Sequence, residues 1–304
     1  MNADASPTGE PSERDRGGIE PNEYEPKPGP SALADAERIG ILGDLHGDLG
    51  HTLIVAGAMS TRGVKVLLVL GDWGFIWPSF NWGNLLDKLS RRLARHDQTM
   101  YFVDGNHEWF PRLYELPISS DGIRWVRPNI GHLPRGYRSA VGGHRTLAAL
   151  GGANSIDRHM RAEGLTWWPE ESITDEDLAS LGDESVDILV GHDAPLHVPT
   201  LDSILASTAH HWPADALTYA AAGRAQFHRG FMQVRPRLSL SGHYHRHADE
   251  QVTYGNGPSS FTTRIVVMDM AGPGRISHAI LDVDTLDVQY LYRDGAPVVK
   301  LDAR

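Results

Sequence analysis

Short apolar runs separated by amphipathic stretches predict alternating strands and helices over the first third of the chain. The apolar runs at 38–43, 64–70 and 99–103 predict buried strands. Between them, apolar residues recur at helical spacing over 49–60 and 82–95, which predicts two helices that each bury one face. This βαβαβ order predicts three parallel, neighbouring strands joined by right-handed crossovers.

The pattern continues less regularly toward the end of the chain. It predicts one hairpin around Gly142-Gly143 and another around Asp284-Thr285. The last three predicted strands are expected to be antiparallel. The strands predicted for this part occupy 136–141, 145–150, 186–190, 237–241, 262–270, 276–283 and 286–292, and the helices occupy 200–207 and 214–232.

Five of the predicted strands end in a glycine that is followed at once by Asp, Asn or His. Glycine allows a sharp turn and leaves room for a ligand. The carboxyl ends of strands in α/β sheets are where binding sites are built, so we expect these polar side chains to gather at one edge of the fold. The five strand ends are Gly43-Asp44-Leu45-His46, Gly71-Asp72, Gly105-Asn106-His107-Glu108, Gly191-His192 and Gly242-His243-Tyr244-His245.

The side chains at these strand ends include two carboxylates, one amide oxygen and four imidazoles that suit a metal site. Such a mixed set of oxygen and nitrogen donors fits Mn, Fe, Zn, Co or Ni, and is poor for Ca²⁺ or Mg²⁺ alone. The set is too large for one ion, whereas two ions about 3.5–4 Å apart can clamp a displacement at phosphorus. The candidate metal ligands are Asp44, His46, Asp72, Asn106, His192, His243 and His245.

Composition limits the classes of protein to which the chain can belong. The 304 residues are 40% hydrophobic and 22% charged, which is typical of a soluble globular protein, and no apolar run is long enough to span a membrane. The chain has no Cys, which excludes disulfides and thiolate metal sites and favours a cytoplasmic location. The net charge of −11 argues against an extended nucleic acid as substrate.

Residues 1–36 are rich in Pro, Glu, Ser and Gly and show almost no apolar periodicity. We predict an acidic, Pro-rich disordered tail there, followed by a single domain over 37–304. The first residues have neither the basic segment nor the apolar core of a secretory signal.

In their order and spacing, the five strand-end motifs resemble those of the calcineurin-like metallophosphoesterases, and together they cover about residues 38–247. The resemblance implies an α/β fold, a four-layer α/β/β/α sandwich of two mixed β-sheets, in which the strands at 262–292 belong to the second sheet. It also implies a dinuclear metal-dependent phosphoesterase. In such an enzyme, water activated by the two metals attacks phosphorus without a covalent enzyme intermediate.

The same resemblance implies a role for each motif residue. Asp72 would bridge two metal ions. His107 would be the catalytic residue that faces the phosphate, where it protonates the leaving oxygen or stabilises charge on the phosphoryl group. The first ion would be bound by Asp44, His46 and His245, and the second by Asn106, His192 and His243.

One part of the chain departs from the protein Ser/Thr phosphatases of this superfamily. Their second motif continues as GDxVDRG, where the later Asp pairs with the catalytic His and the Arg binds phosphate. Here Phe75 and Ile76 occupy those two positions, which argues against a close relationship with that branch. Arg158 and Arg161 could bind a phosphate oxygen, because a guanidinium fits it in a forked geometry. Arg158 is the candidate substrate-binding residue, and surface charge is the alternative for both.

The apolar loop that follows Asp72 leaves two interpretations open. Its aromatic residues could line a pocket that stacks a nucleobase or another flat group, or they could only pack the loop. These residues are Trp73, Phe75 and Trp77, and Trp109 of the third motif loop is a further candidate.

Together these residues predict an enzyme that hydrolyses phosphomonoesters. Hydrolysis of phosphodiesters or nucleotides is the alternative reaction. A non-catalytic interaction scaffold on the same fold is a third hypothesis, which the complete ligand set and the presence of His107 disfavour. The sequence leaves the native metal pair, the physiological substrate and the oligomeric state open.

Overall fold

Two β-sheets pack face to face in this protein, and helices cover their outer faces. The computed structural model describes residues 32–78 and 82–298. Among these residues, one sheet has seven strands and the other has six, and both contain parallel and antiparallel neighbours. The expected α/β fold, a four-layer α/β/β/α sandwich of two mixed sheets, is therefore confirmed.

The elements have the following bounds in chain order. The strands are β1 (Arg38–Leu42), β2 (Val66–Val69), β3 (Thr99–Phe102), β4 (Arg124–Arg127), β5 (Ile130–His132), β6 (Arg138–Val141), β7 (Arg145–Leu150), β8 (Ile188–Gly191), β9 (Leu238–Ser241), β10 (Ala248–Tyr254), β11 (Phe261–Val267), β12 (His278–Asp282) and β13 (Val288–Leu291). The α-helices are α1 (Leu49–Ser60), α2 (Trp82–Arg95), α3 (Phe110–Tyr114), α4 (Asp175–Leu181), α5 (Pro199–Thr208) and α6 (Ala214–Val234). No helix in the described ranges combines the length and the apolar character that a membrane crossing requires.

The first sheet has the strand order β13-β12-β1-β2-β3-β5-β4. Its strands β1, β2 and β3 lie side by side in parallel, as predicted. The second sheet has the order β10-β11-β9-β8-β7-β6, in which β7, β8 and β9 are parallel neighbours. The five strands that carry the motifs, β1, β2, β3, β8 and β9, therefore all lie in parallel parts of the two sheets.

The motif strands are buried on both faces, which explains why they are continuous apolar runs in the sequence. In β2, Val66 and Leu68 belong to the core between the two sheets, whereas Leu67 and Val69 belong to the core that includes the buried faces of α1 and α2. A third core combines the second sheet with α4, α5 and α6. These three apolar layers hold the strand ends in fixed relative positions.

Most of the predicted elements are confirmed. Helices α1 and α2 have the predicted bounds, and the two predicted hairpins are the antiparallel pairs β6–β7 and β12–β13. The sequence analysis missed α3, β4, β5 and β10. In β10 the reason is physical, because most of its side chains are only half-buried or exposed and its sequence ADEQVTY shows no apolar alternation.

The expected place of the strands at 262–292 is wrong for two of them. Strand β11 lies in the second sheet, where it is parallel to β9 and antiparallel to β10. Strands β12 and β13 belong to the first sheet, and β12 pairs antiparallel with β1. Without β12, the backbone groups of β1 would form an open sheet edge. Pairing there also buries Ala279 and Leu281 in the core between the sheets.

The predicted tail, residues 1–36, lies outside the described residues as far as position 31. Its last residues are described, and Leu33 and Ala36 are buried in the core between the sheets. The backbone amide of Gly143 also donates to the carbonyl of Ala34 (3.0 Å). The packed domain therefore includes Leu33 and Ala36, which the predicted tail (1–36) assigns to the disordered part.

A buried ion cluster fixes the end of β3 beneath the third motif. The carboxylate of Asp104 is fully buried and accepts hydrogen bonds from His132 Nε2 (3.1 Å) and Arg135 Nε (2.9 Å). Although burial opposes ionisation, Arg135 and His132 hold the pKa of Asp104 well below its usual value. The carbonyl of Asp104 also accepts from the Gly152 amide (2.8 Å), so the cluster joins the third motif loop to the loop after β7.

Replacing Asp104 with alanine is expected to destabilise the protein strongly. The change removes one of the two carboxylates that pair with the buried guanidinium of Arg135, and breaking a buried pair costs about 3–5 kcal/mol. Urea denaturation measures the free energy of unfolding. Asp175→Ala is the matched control, because it removes a carboxylate from an exposed pair with Arg229. Equal effects of the two substitutions would contradict the structural role of Asp104.

Candidate metal centre

The seven predicted ligand residues lie together where the carboxyl ends of five parallel strands meet. Three of these strands belong to the first sheet and two to the second, so the site bridges the two sheets. Each ligand residue lies close to at least one other member of the set. Strand β1 leads to Asp44 and His46, β2 to Asp72, β3 to Asn106, β8 to His192, and β9 to His243 and His245.

Four of the residues, Asp44, His46, Asp72 and His245, form a first donor group. One ligand atom from each lies within 4.8 Å of the others. The Nε2 atoms of His46 and His245 are 3.1 Å apart, and Nε2 of His245 is 3.2 Å from Asp44 Oδ2. The Oδ2 atom of Asp72 lies 3.8 Å from Nε2 of His46. Two carboxylates and two imidazoles therefore converge on one small volume.

Asp72 also faces a second donor group, which consists of Asn106, His192 and His243. The Nε2 atom of His192 lies 3.0 Å from Asn106 Oδ1 and 3.3 Å from Asp72 Oδ1. The ring centroids of His192 and His243 are 5.0 Å apart. Because Oδ1 of Asp72 faces this group and Oδ2 faces the first, the carboxylate is shared by both.

Two motif glycines are required by the close approach of these side chains. A Cβ atom on Gly105 would lie 2.2 Å from Asp72 Oδ1, and one on Gly242 would lie 2.2 Å from Asp44 Oδ1. Any larger residue would displace a carboxylate from the centre. The glycines at the strand ends are therefore part of the geometry of the site and not only turn residues.

Four of the predicted ligands have a left-handed backbone conformation that residues other than glycine rarely adopt. The φ angles are 45° at His46, 45° at Asp72, 69° at His243 and 51° at His245. Such strain persists only where the surrounding structure imposes it, and it is concentrated at functional sites. The strained backbone at these four positions is what points their side chains into the centre.

The arrangement of these atoms fits a bound cation. Asp44 Oδ2 is buried and makes no well-aligned hydrogen bond among the described residues, although Nε2 of His245 lies 3.2 Å from it, so this oxygen is free to meet a cation. His192 Nδ1 donates to the carbonyl of Leu70 (2.7 Å), which leaves Nε2 facing two oxygen atoms. Although burial opposes the shift, Asp72 and Asp44 raise the pKa of His192 to about 10. The carboxylate oxygens of this centre therefore stabilise a positive charge placed beside them.

A chain of buried polar groups orients the amide of Asn106. Its Nδ2 donates to Ser155 Oγ (2.9 Å), which turns Oδ1 toward His192. Ser155 donates through its hydroxyl (2.5 Å) and its backbone amide (2.8 Å) to the carboxylate of Glu171, and Tyr219 donates a further bond to Glu171 (2.9 Å). Groups that orient a ligand in this way strongly influence metal affinity.

Glu108 of the third motif anchors the apolar loop after β2. Its buried carboxylate accepts a hydrogen bond from the backbone amide of Trp73 (2.7 Å). Trp73 and Phe75 are buried in the core beneath α1 and α2, so these two residues pack the loop and do not line a pocket. Trp77 is different, because it is half-buried and its ring centroid lies 6.1 Å from that of His107.

His107 lies beside the first donor group and contacts Arg161. Its backbone amide donates to Asp72 Oδ1 (2.8 Å), and its ring centroid lies 5.0 Å from that of His46. Arg161 Nη2 donates to Nε2 of His107. Burial, Arg161 and His46 lower the pKa of His107 to about 4, against the opposing effect of Asp72. In this state the imidazole is neutral at pH 7, which allows it to accept from the guanidinium.

The structure separates the two candidate arginines. Arg161 contacts His107 and is held by Asp157, whose carboxylate accepts from its Nε and Nη2 atoms (2.9 Å each). Arg158 instead stacks on an aromatic ring, with its guanidinium carbon 4.3 Å from the ring centroid of Trp167. The contact with the predicted catalytic histidine therefore belongs to Arg161.

Sequence reasoning missed the residues that support the predicted ligands. The pattern Gly151-Gly152 marks residues 151–157 as another strand-end loop after β7, but it assigns no role to Ser155 or Asp157 within that loop. Glu171 gives no such signal, because a glutamate in the sequence Pro-Glu-Glu resembles an exposed residue. Only the fold shows that it is fully buried beneath Ser155.

Comparison with known families agrees with this geometry. A family model described as calcineurin-like phosphoesterase matches residues 37–247, more than half of the chain. The chain belongs to this family. Calcineurin-like phosphoesterases are metal-dependent hydrolases of phosphate esters with two metal ions, which agrees with two donor groups that share Asp72. The resemblance indicated by the five motifs is therefore confirmed.

Several solved structures are similar to this calcineurin-like phosphoesterase over most of its length. A protein from Thermus thermophilus is 13% identical, with 85% of this chain and 99% of that one covered and a TM-score of 0.48. A dimetal phosphatase from Danio rerio is 12% identical, with 85% and 94% covered and a TM-score of 0.45. A purple acid phosphatase from yellow lupin seeds is 11% identical, with 87% and 53% covered and a TM-score of 0.45. No curated protein matches the chain.

Replacing Ser155 with alanine is expected to weaken metal binding about 10- to 100-fold, the usual effect of removing a group that orients a ligand. The Asn106 amide would lose the acceptor that fixes its orientation. Metal content after dialysis against buffers of defined Mn²⁺ concentration measures the effect. Ser207→Ala is the matched control, since Ser207 Oγ donates to the carbonyl of Ile204 within α5, on the exposed surface. Unchanged metal affinity in Ser155→Ala would contradict the orienting role.

Proposed function

We propose that this protein is a dinuclear metal-dependent phosphomonoesterase. The observation that carries the proposal is the convergence of two buried carboxylates, an amide oxygen and four imidazoles at one edge between the sheets. A donor set of this chemistry suits two ions from the series Mn, Fe, Zn, Co and Ni. The substrate is a phosphate ester.

The distances support a division of the ligands between two ions. The two oxygens of Asp72 face different donor groups, so Asp72 is the bridging ligand in this proposal. The Oδ2 atom of Asp44, which makes no hydrogen bond among the described residues, would bind the first ion. The first ion would be held by Asp44, His46 and His245, and the second by Asn106, His192 and His243.

Two such ions, when bound, would supply Lewis acidity that polarises phosphoryl oxygens and lowers the pKa of a bound water molecule. The remaining chemistry belongs to the residues of this chain. His107 is placed beside the first donor group by the bond from its backbone amide to Asp72. From there its imidazole can hydrogen-bond a phosphoryl oxygen or protonate the leaving oxygen, once the negative charge of the substrate favours its protonated form.

Hydrolysis of a phosphodiester or a nucleotide is the second candidate function, and Trp77 favours it. The centroid of its half-buried ring lies 6.1 Å from that of His107 and 5.5 Å from that of Trp168. A flat leaving group could stack on such a ring. Trp73 and Phe75 do not support this alternative, because both are buried in the core.

The test of the proposed function is a parallel assay with Mn²⁺ on p-nitrophenyl phosphate and bis-p-nitrophenyl phosphate. Faster cleavage of the monoester supports the proposed reaction, whereas faster cleavage of the diester supports the second candidate. Protein that binds two metal ions but cleaves neither ester has a narrower substrate requirement than either model compound satisfies. Protein that neither binds metal nor cleaves the esters is a scaffold.

Replacing His107 with alanine is expected to leave the metal content unchanged and to lower turnover of the preferred ester about 10²- to 10⁴-fold, the usual effect of losing a general acid. Metal analysis and steady-state kinetics on the same preparation measure both quantities. His144→Ala is the control, because that histidine is exposed and pairs with Asp284. Full activity of His107→Ala would refute the assigned role.

Replacing Asp72 with asparagine is expected to lower metal content and turnover together. The substitution removes the negative charge that both donor groups share, while the side chain keeps its shape. Titration with Mn²⁺, followed by metal analysis and by the ester assay, measures both effects. Loss of only one ion from Asp72→Asn would contradict the bridging role.

A further inference from the structure

Among the described residues, Arg161 is the only arginine whose guanidinium contacts the side chain of His107. Its Nε and Nη2 atoms are fixed by Asp157, and its Nη2 atom also reaches His107 Nε2. The His107 ring in turn lies 5.0 Å from the ring of His46 in the first donor group. One imidazole therefore separates the guanidinium from the metal ligands.

One arm of the guanidinium has no partner. The side chain of Arg161 is only 8% exposed, and its buried Nη1 atom makes no hydrogen bond within the described ranges. A charged donor that is buried without a partner costs more than a neutral one. The cost indicates that this arm receives an acceptor from a ligand, because Asp157 already occupies the opposite edge of the guanidinium.

The acceptor that fits this arm is an oxyanion. Nε and Nη2 of Arg161 already face Asp157 and His107, so the Nη1 N–H groups remain for a phosphate oxygen, and such charge-assisted bonds are about twice as strong as neutral ones. The backbone also prepares the position. Arg161 has an extended conformation (φ −109°, ψ 161°) directly after the short 3₁₀ turn of Arg158–Met160, and the two arginines have different contacts, Arg161 with His107 and Arg158 with Trp167.

We infer that Arg161, held by Asp157, binds a non-bridging oxygen of the phosphoryl group beside His107 and thereby favours phosphomonoesters over phosphodiesters. The inference rests on the proposed function, because the oxyanion is taken to be the phosphoryl group of the substrate. The sequence between β2 and α2 contains no Lys or Arg, and Phe75 and Ile76 are buried in the core. The loop after β7 supplies the arginine and its aspartate instead.

The preference for monoesters follows from charge. A phosphomonoester dianion has three non-bridging oxygens, whereas a phosphodiester monoanion has two. The positive guanidinium of Arg161, in addition to two metal ions, therefore stabilises a bound monoester dianion more than a bound diester monoanion. The orientation of Arg161 depends on Asp157, which acts as a positioning residue through its two bonds to the guanidinium.

The experiment compares Arg161→Gln, Arg161→Lys and Asp157→Asn with the wild-type protein. Arg229→Gln is the matched control, because it removes a guanidinium that also pairs with an aspartate, Asp175, but on the exposed surface. Binding of inorganic phosphate to the Mn²⁺-loaded protein is measured by calorimetry, which does not require turnover. Metal content and melting temperature are measured on each preparation, and kcat/KM is measured on both p-nitrophenyl esters.

We expect Arg161→Gln to bind phosphate about 10- to 100-fold more weakly, the range for losing a charged hydrogen bond, with unchanged metal content. Its kcat/KM should fall more for the monoester than for the diester. Arg161→Lys keeps the charge but loses the fork, so an intermediate loss is expected, and Asp157→Asn should resemble it. If Arg161→Gln does not fold, the Arg161→Lys and Asp157→Asn results decide the inference.

Several results would overturn the inference. These are wild-type phosphate affinity in the Arg161 variants, equal losses for the two esters, or weaker phosphate binding in Arg158→Gln instead of Arg161→Gln. Absence of phosphate binding by the metal-loaded wild type would also overturn it. A wild type that cleaves neither ester, but binds phosphate in a way that depends on Arg161, would establish the oxyanion site while giving no support to the proposed reaction.

Discussion

Two buried carboxylates, Asp44 and Asp72, are the charges around which the strand-end loops are arranged. Buried ions persist only where partners compensate their charge. Here imidazoles from the second sheet lie 3.2 Å from Asp44 and 3.3 Å from Asp72, which both belong to the first sheet. The centre therefore exists only while the two sheets are packed against each other, and the apolar core between them has a direct functional consequence.

The sequence predicts which side chains gather at the centre because their signal is local. A strand buried on both faces is a continuous apolar run, and the glycine at its end marks the point where ligand side chains approach the backbone closely. Gly105 and Gly242 are examples, since a Cβ atom at either position would meet a carboxylate oxygen. The sheet to which β12 belongs has no comparable signal, because its pairing with β1 depends on the path of the chain around the molecule.

The residues around the ligands could not be predicted, because their contacts depend on the tertiary arrangement of a distant loop. Ser155 reaches Asn106 across 49 positions of the chain, and Arg161 reaches His107 across 54. Arg158 and Arg161 would share one face of a regular helix, so sequence spacing does not distinguish them. A 3₁₀ turn followed by extended backbone separates them, and only one of the two meets the histidine.

The apolar loop after β2 and the arginine after β7 are physically connected features. Phe75 and Ile76 are 1% exposed, so an aspartate and an arginine at these positions would require two buried charges within the core beneath α1 and α2. The chain keeps this loop apolar and anchors it through Glu108. The cation beside His107 must then come from another element, and the loop after β7 is already fixed there by the bonds that orient Asn106. The loop that orients the Asn106 amide thus also provides the guanidinium that meets His107.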